Sequence, residues 1–209
     1  MSRVVSDVSI SVDGYAAGLG QTLEKPLGHG PVEERLHAWM FDTPEESPHE
    51  LGAITAAGAF IMGRNMLGPG RGEWDLDWQG WWGPEPPYHR PVFVLTHHPR
   101  DPLEMTGGTT FDFVTDGIES ALDRARAAAD GGDVAIAGGA ATINQYLGAG
   151  LLDELRTHVA PVTLGAGERL FAGVPPLELE VVSVRPVSLA THVTHRPRGR
   201  IGETDGTRR

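Results

Sequence analysis

The chain of 209 residues has no cysteine, which excludes disulfides, thiolate nucleophiles and cysteine-ligated zinc together. Lysine is nearly absent as well: Lys25 stands alone among 17 basic residues, against 28 acidic ones, for a formal net charge of -11. No basic run occurs before the C-terminal stretch, so the body of the chain has nothing fitted to track a phosphate backbone. Nucleic acid is therefore not an expected partner. Long apolar runs are missing too. Nowhere do about 18 apolar residues stand together, and Met1 to Ser11 holds one arginine and only a short apolar stretch. A soluble, cytoplasmic protein with no membrane contact is expected. Neither Gly-x-x-x-x-Gly-Lys-Ser/Thr nor Gly-x-Gly-x-x-Gly after a strand is present, and no metal site is expected.

What is present suffices for one core. With 40% hydrophobic residues, 1–196 reads as a single domain and the polar, Gly/Arg-rich 197–209 as a disordered tail. Arg3 to Val12 alternates Val/Ile with Ser/Asp and ends at Asp13-Gly14, a strand closed by a turn. Pro31 to Phe41 places Val32, Leu36, Trp39 and Met40 at helical spacing after an N-terminal proline. Ser47-Pro-His-Glu50 and Asp116-Gly-Ile-Glu119 read as capping boxes opening two further helices. Ala59 to Met62, Pro91 to Thr96, Thr109 to Val114 and Asp133 to Ala137 read as strands. Leu67 to Pro91, with Trp74, Trp78, Trp81 and Trp82, lacks any period and reads as a candidate functional loop. Strand and helix alternate up to Leu147, which implies a largely parallel α/β sheet. From Asp153 on, three strands with no helix between them imply an antiparallel edge.

The chemistry-bearing positions follow buried strands. In open α/β sheets, ligands sit outside the carboxyl ends of the strands, where helix N-termini offer free N–H groups to phosphate. Three segments place such an end beside glycine or donors: Phe60 to Arg64, Phe93 to His98, and Val134 to Thr142. Gly138-Gly139 would let backbone approach a pyrophosphate, with the Thr142 hydroxyl adding a donor. Arg64 supplies a forked cation suited to a phosphate monoester. The same pieces are compatible with a plain strand-to-helix turn and a solvated surface arginine.

Five blocks, in order, resemble a known family. They are Ser9-Ile-Ser-Val-Asp-Gly-Tyr-Ala16, Ile61-Met-Gly-Arg64, Val92-Phe-Val-Leu-Thr-His-His-Pro-Arg100, Ala137-Gly-Gly-Ala140, and Gln145 to Leu155 continuing through Pro161 to Gly165 and Arg169-Leu-Phe171. Together they are similar to the reductase domain of bifunctional riboflavin biosynthesis proteins, the RibD C-terminal domain, within the wider dihydrofolate-reductase-like family. The resemblance implies a central, mostly parallel mixed sheet flanked by helices, with NADPH along its carboxyl edge. Gly63, Arg64, Asn65 and Met66 would then hold the adenosine phosphates, with Leu95, Thr96, His97 and His98 near the 2'-phosphate. Gly138, Gly139, Ala140, Ala141, Thr142 and Ile143 would cradle the pyrophosphate, and Ser9, Ala16 and Ala17 would lie by the nicotinamide. A small-molecule substrate would sit against Trp39, Met40 and Trp82, and family members are commonly homodimers. The implied reaction is hydride transfer to a C=N or C=O of a small heterocycle or sugar-like carbonyl. The deaminase half is excluded, because its H-x-E…P-C-x-x-C pattern needs cysteine.

Two residues are candidate proton donors. Asp13 lies at the end of the first strand, where Asp-Gly is also ordinary turn chemistry, and His37 lies on the Pro31 to Phe41 segment. His192 and His195, at i and i+3 on a strand, would face opposite sides and do not suggest a metal pair. Dihydrofolate reductases carry an acid on the first helix, whereas Arg35-Leu-His-Ala-Trp39 has none, which argues against a pterin. A dihydrofolate reductase and a non-catalytic nucleotide-binding protein of the same fold stay open as alternatives.

Overall fold

A computed structural model describes residues 2–70 and 72–200. Its strands are β1 (Val4–Ser11), β2 (Tyr15–Ala17), β3 (Ala59–Gly63), β4 (Pro91–Leu95), β5 (Leu103–Glu104), β6 (Thr110–Val114), β7 (Val134–Gly138), β8 (Glu154–Ala160), β9 (Glu168–Arg169), β10 (Leu177–Pro186) and β11 (Thr191–Arg200). Its α-helices are α1 (Ala38–Phe41), α2 (Pro48–Ile54), α3 (Arg64–Leu67), α4 (Ile118–Ala128) and α5 (Ala140–Gly148). None of them is long and apolar enough to cross a membrane.

Nine strands form one sheet in the order β10-β11-β8-β1-β7-β3-β4-β6-β5. The six from β8 to β6 in that order run parallel to their neighbours. The edges reverse: β11 is antiparallel to β8, β10 to β11, and β5 to β6. This is the mixed α/β architecture implied by the alternating first two thirds and the helix-free last third of the chain. One detail differs from a wholly antiparallel C-terminal region, because β8 is parallel to β1 on one side and antiparallel to β11 on the other.

Strand periodicity decides which face each side chain serves. Ile61, Val134 and Ile136 point to one face, where they meet Ala121, Leu122 and Ala125 of α4 and Ile143, Tyr146 and Leu147 of α5. Phe60, Met62, Val92 and Val94 point to the other, where Leu67, Tyr88 and Phe111 complete a second core with Trp74 and Trp82 at its margin. Every central strand is thus buried on both faces, the reason its sequence is a continuous apolar run. Fully buried side chains of this size each contribute ~1.5–3 kcal/mol, so Phe111→Ala would cost ~3–5 kcal/mol.

Several local expectations are corrected. Pro31 to Phe41 is no single helix: a 3-10 turn at Glu33–His37 leads into the one-turn α1. Glu33 turns inward and accepts N–H bonds from Gly30 (2.9 Å) and Val32 (3.1 Å), so the turn is tied to the preceding glycine loop. Leu36 and Trp39 are buried as the spacing implies, but Phe41 is 76% exposed. Neither capping box forms. Ser47 precedes α2 without a side-chain cap, and Glu50 instead pairs with Arg185. Gly117 precedes α4, while Asp116 takes the Ser120 hydroxyl and Arg124. The last strand runs on through Arg200, five residues beyond His195, because β10 pairs with it along its length. The remainder of the proposed tail, 201–209, lies outside the described residues.

Candidate functional site

Four parallel strands, β7, β3, β4 and β6, end along one edge, and there a cavity of about 970 Å³ opens. That volume is at the top of the ~300–1,000 Å³ usual for ligand sites. The β3 end contributes Gly63, Arg64, Asn65 and Met66 to its lining; the β4 end Leu95, Thr96, His97 and His98; and the β7–α5 junction Gly138, Gly139, Ala140, Ala141 and Thr142. The convergence follows from parallel pairing alone, since it brings every carboxyl end to the same side.

Local geometry shows what this edge can hold. No side chain caps α5, whose first turn therefore offers backbone N–H groups to a ligand. Among the described residues, nothing lies within 4 Å of where a Cβ on Gly139 would stand, so the backbone there faces open space. Gly138 is different: its φ of +130° suits glycine, and a Cβ would meet the Met66 sulfur at 3.1 Å. At Gly63 a Cβ would collide with the Thr142 hydroxyl, which holds β3 and α5 in close approach. The arrangement fits the phosphates of a dinucleotide.

Arg64 also supports the Trp-rich loop. Its guanidinium donates to the carbonyls of Gly72 and Glu73 and lies 4.0 Å from the centre of the Trp74 ring. Trp74 in turn donates to the His98 carbonyl at 2.8 Å, so the loop is stapled to the β4 corner. The Thr96 hydroxyl exchanges hydrogen bonds with His98 across that corner. Glu73 also approaches His98 Nδ1, at 3.5 Å, so this corner carries a carboxylate as well as its donors.

The other end of the cavity is made from side chains. Asp7, Ser9, Ala16 and Ala17, His37, Trp39 and Met40, Trp82 and His158 line it. Strand register explains the grouping: Asp7 pairs with Arg156, Ser9 with His158, and His158 with His192, so all five project from one face of β1, β8 and β11. Trp39 lies over them, 4.5 Å from the His158 ring and 4.9 Å from the His192 ring, and donates to Ser9 Oγ at 3.0 Å. His37 is held neutral near pH 7, its pKa lowered to about 4 by burial and then by neighbouring His158.

A family model described as the RibD C-terminal domain matches residues 2–193. The chain belongs to that family. YyaP of Bacillus subtilis (strain 168), an uncharacterized protein, is 34% identical over 197 residues, 89% of each chain. Among solved structures, a protein of Shewanella sp. PV-4 provisionally assigned to riboflavin biosynthesis is similar at TM-score 0.62 and 22% identity, over 94% of this chain and 99% of the other. A deaminase/5-amino-6-(5-phosphoribosylamino)uracil reductase of Thermotoga maritima gives 0.58 and 18%, over 94% of this chain and 56% of that longer one. Dihydrofolate reductase of Enterococcus faecalis, solved with NADP(H), gives 0.54 and 16%, over 94% and 97%. These likenesses show a dihydrofolate-reductase-like fold, and membership of the RibD C-terminal family supports an oxidoreductase.

Within this RibD-type domain, two of the expected site residues lie off the cavity. Ile143 is fully buried in the core under α5 and only its N–H is turned to the junction, bonded to the Gly139 carbonyl at 3.1 Å. Asp13 locks a turn: it accepts from Ser11 Oγ (2.6 Å) and from the N–H groups of Leu164 (3.1 Å) and Gly165 (2.7 Å). The Ser11 hydroxyl, followed by those two N–H groups, holds its pKa at about 2, where it is an ion with no proton to give near pH 7. Conversely, sequence reasoning missed Asp7, His158 and the β6 end at Val114, Thr115, Gly117 and Ile118. The β6 end was findable by the same carboxyl-edge rule. Asp7 had only the faint signal of a charge inside an otherwise buried strand. Asp7 brings a carboxylate into the cavity lining from β1, outside the Arg35 to Trp39 stretch.

Proposed function

We propose that the protein is an NADPH-dependent reductase acting on a C=N or C=O bond of a small heterocycle or sugar-like carbonyl. The observation that carries this reading is the open Gly139 backbone at the uncapped start of α5, set on a cavity large enough for a dinucleotide and a second small molecule. NADPH would supply the hydride. Gly138 to Thr142 would hold its pyrophosphate, Gly63 to Met66 its adenosine phosphates, and Leu95 to His98 the 2'-phosphate. Ser9, Ala16 and Ala17 would flank the nicotinamide, with Trp39, Met40 and Trp82 enclosing the substrate and excluding water.

The carbon of the reduced bond gains the hydride, and its nitrogen or oxygen needs one proton. A neutral His37 is a poor source of that proton near pH 7, so it orients the substrate or a water that delivers it. Asp13, locked as an ion in its turn, takes no part in this reaction. We further propose a cytoplasmic homodimer joined through the β10 edge, where Val181, Val182 and Val184 are exposed.

The deciding experiment incubates the purified chain with NADPH and a panel of heterocycles, an aminopyrimidine ribityl phosphate and dihydrofolate among them, and follows loss of the cofactor's near-ultraviolet absorbance. Turnover of a panel member is expected. Tight NADPH binding with no turnover on any member would favour a non-catalytic nucleotide-binding protein. Light scattering at twice the chain mass is expected, and monomer mass in dilute solution would remove the dimer.

A further inference from the structure

The substrate side of the cavity is bordered by apolar surface that the protein leaves uncovered. Leu51 and Ile54 stand three residues apart on one face of α2, and both line the cavity. No residue of α2 is buried, so the fold does not close over that face. Phe41, at the end of α1, lines the cavity as well and is 76% exposed. Apolar groups of this size gathered at a cavity mark a binding surface, because water is released when a ligand covers them.

A second wall is aromatic and firmly backed. Trp81, Trp82 and Tyr88 line the cavity. Trp82 meets the Tyr88 ring edge-on at 5.2 Å and stacks on Phe111 at 6.2 Å, and Tyr88 packs on Phe60 at 4.8 Å. Phe60 and Phe111 belong to the second core, which also holds Ala57 just beyond α2. The end of α2 and the aromatic wall are therefore anchored in one apolar cluster. Rings fixed in this way accept a flat apolar group with little loss of side-chain freedom.

Charge on this side runs against an anion. Arg64 is the one lysine or arginine among the described residues that line the cavity, and it belongs to the β3 end, where it holds the Gly72 and Glu73 carbonyls. Away from the ends of β3, β4, β6 and β7, the carboxylates in the lining are Asp7 and Glu168. Arg156 is already paired with Asp7, at 3.1 Å. His158 is 2% exposed and bonded to His192, and burial keeps His37 neutral near pH 7. A phosphate group brought to this side would lose its water with no cation to replace it, which is costly.

We propose that the substrate is an uncharged compound whose aromatic or alicyclic ring lies on the surface of Phe41, Leu51 and Ile54 against Trp81 and Trp82, and that phosphate esters are turned away. This rests on the reading of that side as the substrate side of a reductase, and it narrows the substrate class within that reading.

Binding of 2-naphthol and of 2-naphthyl phosphate, which differ only in the phosphate, tests this on the full chain by calorimetry and ligand-observed NMR. Saturating NADP⁺ is present, so that the strand ends are occupied. Naphthol is expected to bind about tenfold tighter than its ester. Leu51→Gln and, separately, Trp81→Gln should each weaken naphthol about tenfold with NADP⁺ affinity unchanged, and thermal melting reports whether each variant folds. Ester binding within about threefold of naphthol, or no naphthol binding at millimolar concentration, overturns the proposal. So does naphthol binding that either folded variant leaves intact, because the ring then lies elsewhere. Failure of the reductase reading shows separately, as absence of NADP⁺ binding. The probes are then compared without it, and the dependence of naphthol on Leu51 and Trp81 still decides.

Discussion

At the α5 end of the cavity the ligand-facing groups are backbone, supplied by glycines at strand ends. At the β1–β8 end they are side chains, supplied by residues as far apart as Asp7, His37 and His158, with His192 and Ser47 bonded in turn behind His158. The first end is tolerant of sequence but intolerant of any added atom. The second accepts changes in shape yet depends on each donor finding its acceptor. The two ends should therefore fail differently when altered.

Gly139→Ala makes the largest difference expected. The φ of -74° at this position suits any residue and the added methyl meets no atom of the described residues, so the fold should be untouched. The methyl would instead fill the space a pyrophosphate needs. NADPH should bind about a hundredfold more weakly, equivalent to ~2.7 kcal/mol, with melting temperature unchanged. Unaltered affinity measured by cofactor fluorescence would move the cofactor away from α5. Gly138→Ala is the contrasting control, expected to destabilise the protein through its φ and the Met66 contact.

Arg64→Ala sharpens the division within the backbone-built end. A lost charge-assisted phosphate contact is worth ~1.5–3 kcal/mol, so NADPH should weaken about ten- to a hundredfold and NADH much less. Because Arg64 also holds the Gly72 and Glu73 carbonyls, a second outcome has its own meaning. Equal losses for both cofactors would assign Arg64 to the loop staple and leave the 2'-phosphate to Thr96, His97 and His98.

Acid should strike the side-chain-built end first. His37 and His192 both have pKa values lowered from 6.5 to about 4, chiefly by burial and next by His158, with Glu50 opposing and Arg185 adding to the shift at His192. Both are neutral when folded and protonated when unfolded between those limits, so the unfolded state binds more protons there. Stability is then full above pH 6.5, declines as pH falls toward 4, and levels off below. At pH 5 the loss is up to about 2 kcal/mol for each. Melting temperatures from pH 7.5 to 4.5 should show this slope, and His192→Gln should flatten it. A flat profile in the unaltered protein would mean that both imidazoles are more hydrated than the structure implies.

The same contrast explains what could be read from the sequence. The parallel sheet, the antiparallel last strands and the carboxyl-edge segments were legible because apolar runs and glycines are local signals, and they delivered Gly63 to Met66, Leu95 to His98 and Gly138 to Thr142 to one cavity. The buried polar string was not legible, since its members become neighbours only through the β1–β8–β11 register. Small paired segments were missed for a similar reason: β2 and β9 are too short to show alternation and form only because Tyr15 meets Arg169 across the turn region. Local motifs misled where tertiary partners competed for the same side chain, as at Asp13, Glu50 and Ser47.

Ser47 offers the smallest and most discriminating of these effects. It occupies the N-cap position of α2, and if capping were its role, aspartate would replace it well and alanine badly, by about 1 kcal/mol. Its surroundings assign it differently, because it makes no cap bond, is fully buried, and meets His192 Nε2 at 3.0 Å. Ser47→Ala should then cost about 1 kcal/mol by leaving that nitrogen unpaired, a fall of roughly 2–4 °C in melting temperature for a chain of this size. Ser47→Asp should be worse than alanine, because a carboxylate would be buried against a neutral imidazole. It should also raise the pKa of His192 toward its unfolded value and so flatten the acid response, which chemical-shift titration of the imidazole would register. An aspartate variant as stable as the parent, with His192 unmoved, would return Ser47 to ordinary helix capping and break the hydrogen-bonded string that joins it through His192 to His158.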